Sequence, residues 1–165
     1  MVGRIVSLNR SNGGVPKLPV AEARVSAAGM EGDRQRQRRF HGGPRRALSL
    51  YALELIEVLQ LEGHHAVPGA LGENVTVRGV DWRTMLPSAR LRLGDVEIEL
   101  TSFAAPCKTI RHVFLDEEIT RISQKVHPGW SRVYARVLGV GVLRVGDLVT
   151  LADPVDPGDL DGKPW

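Results

Sequence analysis

The chain contains one cysteine, Cys107, within the stretch TSFAAPCKTI at residues 101–110. Pro106 disfavours helical geometry at Ala105, so a strand entering this stretch ends there and the thiol falls at a strand-to-loop corner. Lys108 and Arg111 are close in sequence, and cations beside a thiol favour the thiolate, the form that acts as nucleophile or metal ligand. A free cysteine also serves as a small buried hydrophobe, and local chemistry leaves the two roles evenly open.

Two other segments carry groups suited to anions. The first, GMEGDRQRQRRFHGGPRRALSLY, begins at Gly29 and supplies Arg34, Arg36, Arg38, Arg39, Arg45 and Arg46. Their forked guanidinium donors match phosphate or carboxylate. Glycines at 29, 32, 42 and 43 let the backbone approach a ligand closely, and His41 adds a group that titrates near neutrality. Arg36, Arg38 and Arg39 read as a solvated basic loop, whereas His41 and Arg46 belong to the HGG turn ahead of a helical pattern and read as functional. The second segment, GALGENVTVRGVDW, presents Asn74, whose carbonyl and amide suit a polar heterocycle or, equally, its own turn. His64 and His65 are adjacent, a spacing that does not put both on one helix face, so they read as surface or structural residues. CxxC, HExxH, P-loop, GxSxG and GxGxxG patterns are all absent. A dyad of Cys107 with His41, His112 or His127 stays open, because nucleophile and base are neighbours in space rather than in sequence.

The elements that must position these groups are mostly strands. GRIVSLN, EARVSA, ENVTVRG, ARLRLG, DVEIELTS, RVYARVLG and DLVTLA are short, rich in Val, Ile or Leu, and bounded by turn formers. In DVEIELTS, Val96, Ile98 and Leu100 alternate with Glu97, Glu99 and Thr101, the pattern of a half-buried antiparallel strand. Gly94-Asp95 predicts a tight hairpin with the preceding ARLRL. Helical spacing occurs twice. SLYALELIEVLQLEG sets Leu50, Leu53, Ile56 and Leu59 three apart, with Leu55 widening the stripe and Gly63 closing the helix. DEEITRISQKV offers Asp116 as a cap, Glu117 and Glu118 in the first turn, and Ile119, Ile122 and Val126 as an apolar side. Many strands with two helices predict a mainly β fold, a barrel with a few peripheral helices, rather than a doubly wound α/β sheet.

The 165 residues suit one domain, expected over 1–152, with an acidic, flexible tail over 153–165. The net charge of +3 understates the basicity of the body, because Asp153, Asp156, Asp159 and Asp161 lie in that tail. A basic body favours anionic ligands: a phosphate, a pterin phosphate or nucleic acid. Aromatic residues make up only 5% of the chain, which argues against nucleic acid read by base stacking. No segment approaches the roughly 20 apolar residues of a membrane helix, and a single cysteine cannot form an internal disulfide. A soluble, cytoplasmic protein is expected.

The ordered segments GGVPK, GMEGDRQ, HGGPRRALSLY, EGHHAVPGALGENVTVRGVDW, APCKTIR and PGWSRVYARVLGVGVLRVGDLV resemble the MOSC domain, named for the C-terminal domain of eukaryotic molybdenum-cofactor sulfurase. The resemblance spans nearly the whole body and is that of a small, freestanding bacterial-type member. It implies a β-barrel and a link to the molybdenum cofactor, a metal held by a pterin dithiolene that ends in a phosphate. It implies that Cys107 carries sulfur as a persulfide or ligates molybdenum. The basic and glycine-rich segments would hold the pterin phosphate, with His41, Arg46 and Asn74 first, then Lys17, Arg24, Arg34, Arg111 and Arg132. Full-length sulfurases add a pyridoxal-phosphate domain, so no pyridoxal phosphate is expected on this chain. A sulfur carrier or cofactor-binding module is the leading expectation. The alternative is a small molybdoenzyme reducing N-hydroxylated compounds. A cysteine desulfurase, a molybdoenzyme or an electron-transfer protein is the partner these readings imply.

Overall fold

The computed structural model describes residues 2–34 and 43–153. Its strands are β1 (Val2–Arg10), β2 (Leu18–Val20), β3 (Glu22–Ser26), β4 (Gly29–Met30), β5 (Leu48–Ala52), β6 (Val75–Arg78), β7 (Arg90–Leu93), β8 (Val96–Ala104), β9 (Arg132–Val137), β10 (Gly141–Arg144) and β11 (Leu148–Asp153). Among the described residues one α-helix, α1, covers Leu53–Leu61. Pairing runs β11-β7-β8-β9-β5-β6-β1, and β11 also pairs with β1, so seven strands close on themselves. Closure leaves no open edge along that ring, and β2 extends it beside β1. A second sheet, β10-β3-β4, packs Ala23, Val25, Met30 and Leu143 onto the barrel core. The expected mainly β barrel is thus the fold of the protein.

Alternation decides which residues fill the barrel. Val96, Ile98 and Leu100 of β8 are buried while Glu97, Glu99 and Thr101 are half-exposed, as their pattern predicts. Leu93 pairs with Val96 across the Gly94-Asp95 turn. In β9 and β8 the register slips between Leu100 and Ser102, leaving Thr101 as the extra residue of a β-bulge. A bulge bends the strand and re-aims the chain beyond it, here the segment that carries Cys107.

The first helical pattern divides into two elements. Leu48–Ala52 is a strand, and only Leu53–Leu61 is helical. All five residues of β5 are buried because both of its faces are covered. Leu48 and Leu50 point into the barrel, whereas Tyr51 enters a second core with Ile56, Leu59, Leu71, Ile110 and Phe114. A strand buried on both faces reads as a continuous apolar run, which periodicity does not separate from a helix. α1 then crosses over to β6, which pairs parallel to β5. Gly63 ends α1 as expected: its φ is 91°, its N–H donates to Gln60 at 2.9 Å, and His64 N–H donates to Leu59 at 3.0 Å. Those two bonds close a Schellman motif.

The second predicted helix does not form. The segment holds a single 3-10 turn, Ile119–Ile122. Glu117 takes φ 57°, which a right-handed helix cannot include, and Asp116 is spent on the N–H of Glu118 at 3.0 Å. Glu118, not Asp116, caps the turn by accepting from Thr120 N–H at 3.1 Å. Ile122 is buried, and Val126 faces solvent. Among the described residues no helix is long and apolar enough to cross a membrane.

Candidate functional site

Beyond the bulge, β8 ends at Ala104 and Cys107 follows in an extended conformation, φ −122° and ψ 161°, before the 3-10 segment Lys108–Val113. The corner expected from Pro106 is therefore present. The thiol is half-buried, and its Sγ lies 2.7 Å from the Thr109 hydroxyl. It lines a cleft of about 400 Å³, a volume within the range of small-molecule sites. Gly14, Val15 and Lys17 come from the β1–β2 connection, Arg34 from the segment after β4, and Ser49 from β5. Leu71 and Gly72 come from the loop before β6, Thr109, Ile110 and His112 from the 3-10 segment, and Arg132 and Tyr134 from β9.

Asp33 ties three sequence segments together beneath this cleft. Its Oδ2 accepts from Lys17 Nζ at 2.5 Å and from Asn74 Nδ2 at 2.9 Å, and its Oδ1 accepts from Ser11 N–H at 2.9 Å. Lys17 and Asp33 side chains are only 7% and 5% exposed, so the pair is desolvated. Burial pulls the Lys17 ammonium below the ordinary lysine range, and the attraction of Asp33 opposes that shift. Gly69 holds the same corner: its carbonyl accepts from Lys17 N–H at 2.9 Å, and with φ at 85° a Cβ there would stand 2.2 Å from the Lys17 carbonyl oxygen. Only glycine fits.

Arg132 is 5% exposed. Its Nη1 donates to the Leu71 carbonyl at 2.5 Å, while its Nε has no partner among the described residues. Glu73, fully buried nearby, accepts at Oε1 from Gly69 N–H at 2.7 Å and from the Thr76 hydroxyl at 3.1 Å. Its Oε2 has no partner among the described residues, and burial pushes its carboxyl above the ordinary carboxylate range.

The residues expected at a site thus fall into groups. Cys107, Lys17, Arg34 and Arg132 meet in one cleft. Asn74 does not reach it: it is 1% exposed, its Oδ1 accepts from Ser49 N–H at 3.1 Å, and its Nδ2 bonds Asn9 and Asp33. Its amide is committed to the scaffold. Arg46 stands at the edge, its guanidinium 5.3 Å from the centre of the Tyr134 ring. Arg24 on β3 faces Glu31 at 3.8 Å, and Arg111 faces Glu117 at 3.8 Å; neither lines the cleft. Lys108 is exposed and also outside the lining, so the cations around the thiol come from distant segments instead of its sequence neighbours. His41 lies outside the described residues, as do Arg36, Arg38 and Arg39. Of the other histidines, His112 lines the cleft and His127 does not. His64 is structural, accepting from Leu115 N–H at 3.2 Å and meeting Phe114 edge-on.

Sequence reasoning missed Asp33, Ser49, Thr109 and Tyr134. Asp33 carried a signal, since a carboxylate in a run of glycines and arginines has a partner to find. Among the described residues no three of His, Cys, Asp and Glu gather at metal-binding distance.

Known proteins resemble this chain in sequence and in fold. The protein YiiM of Escherichia coli K12 is 29% identical in an alignment of 126 positions that covers 70% of this chain and 54% of that protein. The chain thus spans about half the length of this relative. The crystal structure of YiiM from Geobacillus stearothermophilus superposes with a TM-score of 0.74 at 24% identity, covering 92% of this chain and 75% of that one. The YUAD protein of Bacillus subtilis gives 0.70 at 19% identity, covering 90% and 94%. Both show the same fold. The MOSC domain family model matches residues 37–150, well over half the sequence, and the chain belongs to the MOSC domain family.

Proposed function

We propose that this domain is a sulfur-carrier or cofactor-binding module for the molybdenum cofactor, with Cys107 as its persulfide-bearing or metal-ligating thiolate. The observation that carries this reading is the convergence of the one thiol with Lys17, Arg34 and Arg132 on a single cleft. The residues suit the group. Arg132 brings a largely desolvated guanidinium to the cleft wall, suited to an anion, and the cleft has the volume of a small-molecule site. A bound pterin dithiolene would supply a redox-active metal with most of its ligands already in place. The protein's contribution is then positional. Arg34 and Arg132 hold the phosphate, Tyr134 with Arg46 closes one side, and Thr109 orients the Cys107 sulfur by hydrogen bonding.

Full-length chain purified from cells fed molybdate tests the proposal through its molybdenum content and through mass spectrometry of Cys107. Sulfane sulfur on Cys107, lost in Cys107→Ser, supports a carrier. Stoichiometric molybdenum lost in the same variant supports cofactor ligation, and with reductase-coupled turnover of an amidoxime it would establish the oxidoreductase alternative. Identical sulfur and molybdenum content in both proteins would sink the proposal.

A further inference from the structure

We infer that Cys107 takes its sulfur directly from a small dianionic sulfane-sulfur donor of the thiosulfate class, recognised by Arg34 and Arg132 across the same cleft. This rests on the sulfur-carrier reading above and adds the chemical class of the donor.

The charge of the cleft wall is the first ground. Lys17, Arg34 and Arg132 all line it, and among the described residues no carboxylate does. Two acids stand behind the wall, Asp33 paired with Lys17 and Glu73 near Arg132, and neither forms an ion pair with Arg34. Asp33 is spent on Lys17, Asn74 and Ser11. Glu73 is fully buried with its Oε2 unpartnered among the described residues; burial raises its carboxyl above the ordinary carboxylate range, and the attraction of Arg132 opposes that shift. Arg34 makes no ion pair with the described residues, and its backbone is fixed by a 2.7 Å bond from its N–H to the Ser11 carbonyl.

The second ground is Arg132 itself. A guanidinium 5% exposed, whose Nε is buried without a partner among the described residues, is a poorly solvated cation that an anion in the cleft it lines would stabilise. Low dielectric around such a group strengthens its pull on a dianion, and clefts lined by one sign of charge raise the local concentration of the opposite sign. An oxyanion drawn to the arginines stands in the same small cleft as the thiol, whose sulfur lies 2.7 Å from the Thr109 hydroxyl.

The transfer balances without any further reagent. The Cys107 thiolate attacks the outer sulfur of thiosulfate, a new sulfur–sulfur bond forms to Cys107, and the original one breaks. Its electron pair leaves with sulfite. The products are a Cys107 perthiolate and sulfite dianion, carrying the same total charge as the reactants, with no proton taken up. Thr109 can donate to the sulfur in both forms.

The test incubates reduced full-length protein with sodium thiosulfate and follows sulfite release together with the mass of the Cys107 peptide. Expected is one sulfite per added sulfur on Cys107, a rate that falls as ionic strength rises, and a roughly tenfold slower reaction in Arg34→Gln at low salt. Arg132→Lys should also slow it, with circular dichroism confirming the fold. Arg83→Gln, at an exposed arginine paired with Asp81, should load as wild type does. A parallel incubation uses inorganic polysulfide, which needs no cation to hold an oxyanion head. If polysulfide loads Cys107 while thiosulfate does not, the donor assignment is wrong and the carrier reading stands. A thiosulfate rate unchanged by Arg34→Gln and by salt also overturns the assignment. If neither reagent loads Cys107, the carrier reading falls with it.

Discussion

Asp33→Asn removes one charge from the desolvated pair that anchors the cleft. In the wild type the carboxylate accepts from three donors, Lys17 Nζ, Asn74 Nδ2 and Ser11 N–H. An asparagine can keep the Ser11 bond through its carbonyl, but its amide then faces two donors. Lys17, 7% exposed, is left as a buried cation without its hydrogen-bonded counter-charge. Breaking a buried pair by removing one partner costs about 3–5 kcal/mol. With Lys17 still free to move toward the cleft, about 3 kcal/mol is expected, which for a chain of this size lowers Tm by roughly 6–12 °C.

The pH dependence of that loss is a sharper test. Lys17 titrates lower in the native state than in the unfolded chain, so the unfolded chain holds more protons just below the ordinary lysine range. Stability therefore rises with pH in that window. The Asp33→Asn substitution removes the attraction that opposes burial, so Lys17 is depressed further and the window extends toward neutrality. The deficit of the variant should be greatest near neutral pH and shrink as pH rises toward the ordinary lysine value. Urea unfolding of both proteins between pH 7 and alkaline conditions measures it. A deficit below about 1 kcal/mol, or one that does not change with pH, would refute the clamp.

Other substitutions probe separate parts of the molecule. Glu73→Gln should cost under about 1 kcal/mol, because burial already disfavours the ionised carboxyl. It should also flatten a slope: a carboxyl raised in the native state stabilises it at low pH, and that contribution is lost as pH climbs past the ordinary glutamate range, as urea unfolding at several pH values would show. Gly69→Ala places a Cβ 2.2 Å from the Lys17 carbonyl at a positive φ and should lose about 2 kcal/mol or more in thermal unfolding. Arg121 lies 3.6 Å from the Trp130 ring centre and donates to both Glu62 oxygens, at 2.9 and 2.6 Å. Arg121→Ala should cost about 1–2 kcal/mol and change the intrinsic fluorescence, while Arg121→Lys, keeping charge but losing the fork, should fall between.

Strands were legible wherever one face meets water. β8 shows this, since alternation of Val96, Ile98 and Leu100 with glutamates is a local signal of a one-sided environment. β5 was illegible because barrel and second core cover both its faces, and its apolar run joined that of α1. The failed helix after Asp116 shows the opposite error: the apolar spacing is there, but Glu117 turns left-handed and Glu118 takes over the capping.

The sequence by itself determined the reagents: one thiol at the corner that Pro106 imposes, glycines placed where the backbone must pass close, and an excess of arginine. Those follow from residue type and from neighbours in the chain. Which cations face the thiol was decided only by the tertiary structure. Lys108 and Arg111, adjacent in sequence, stand outside the cleft, whereas Lys17, Arg34 and Arg132 are brought in by barrel closure and by the Asp33 clamp. Burial separates the roles as well, committing Asn74 to the scaffold and leaving Arg132 with a donor to spare. Charge acts through distance and desolvation, and both are properties of the packed chain rather than of its order.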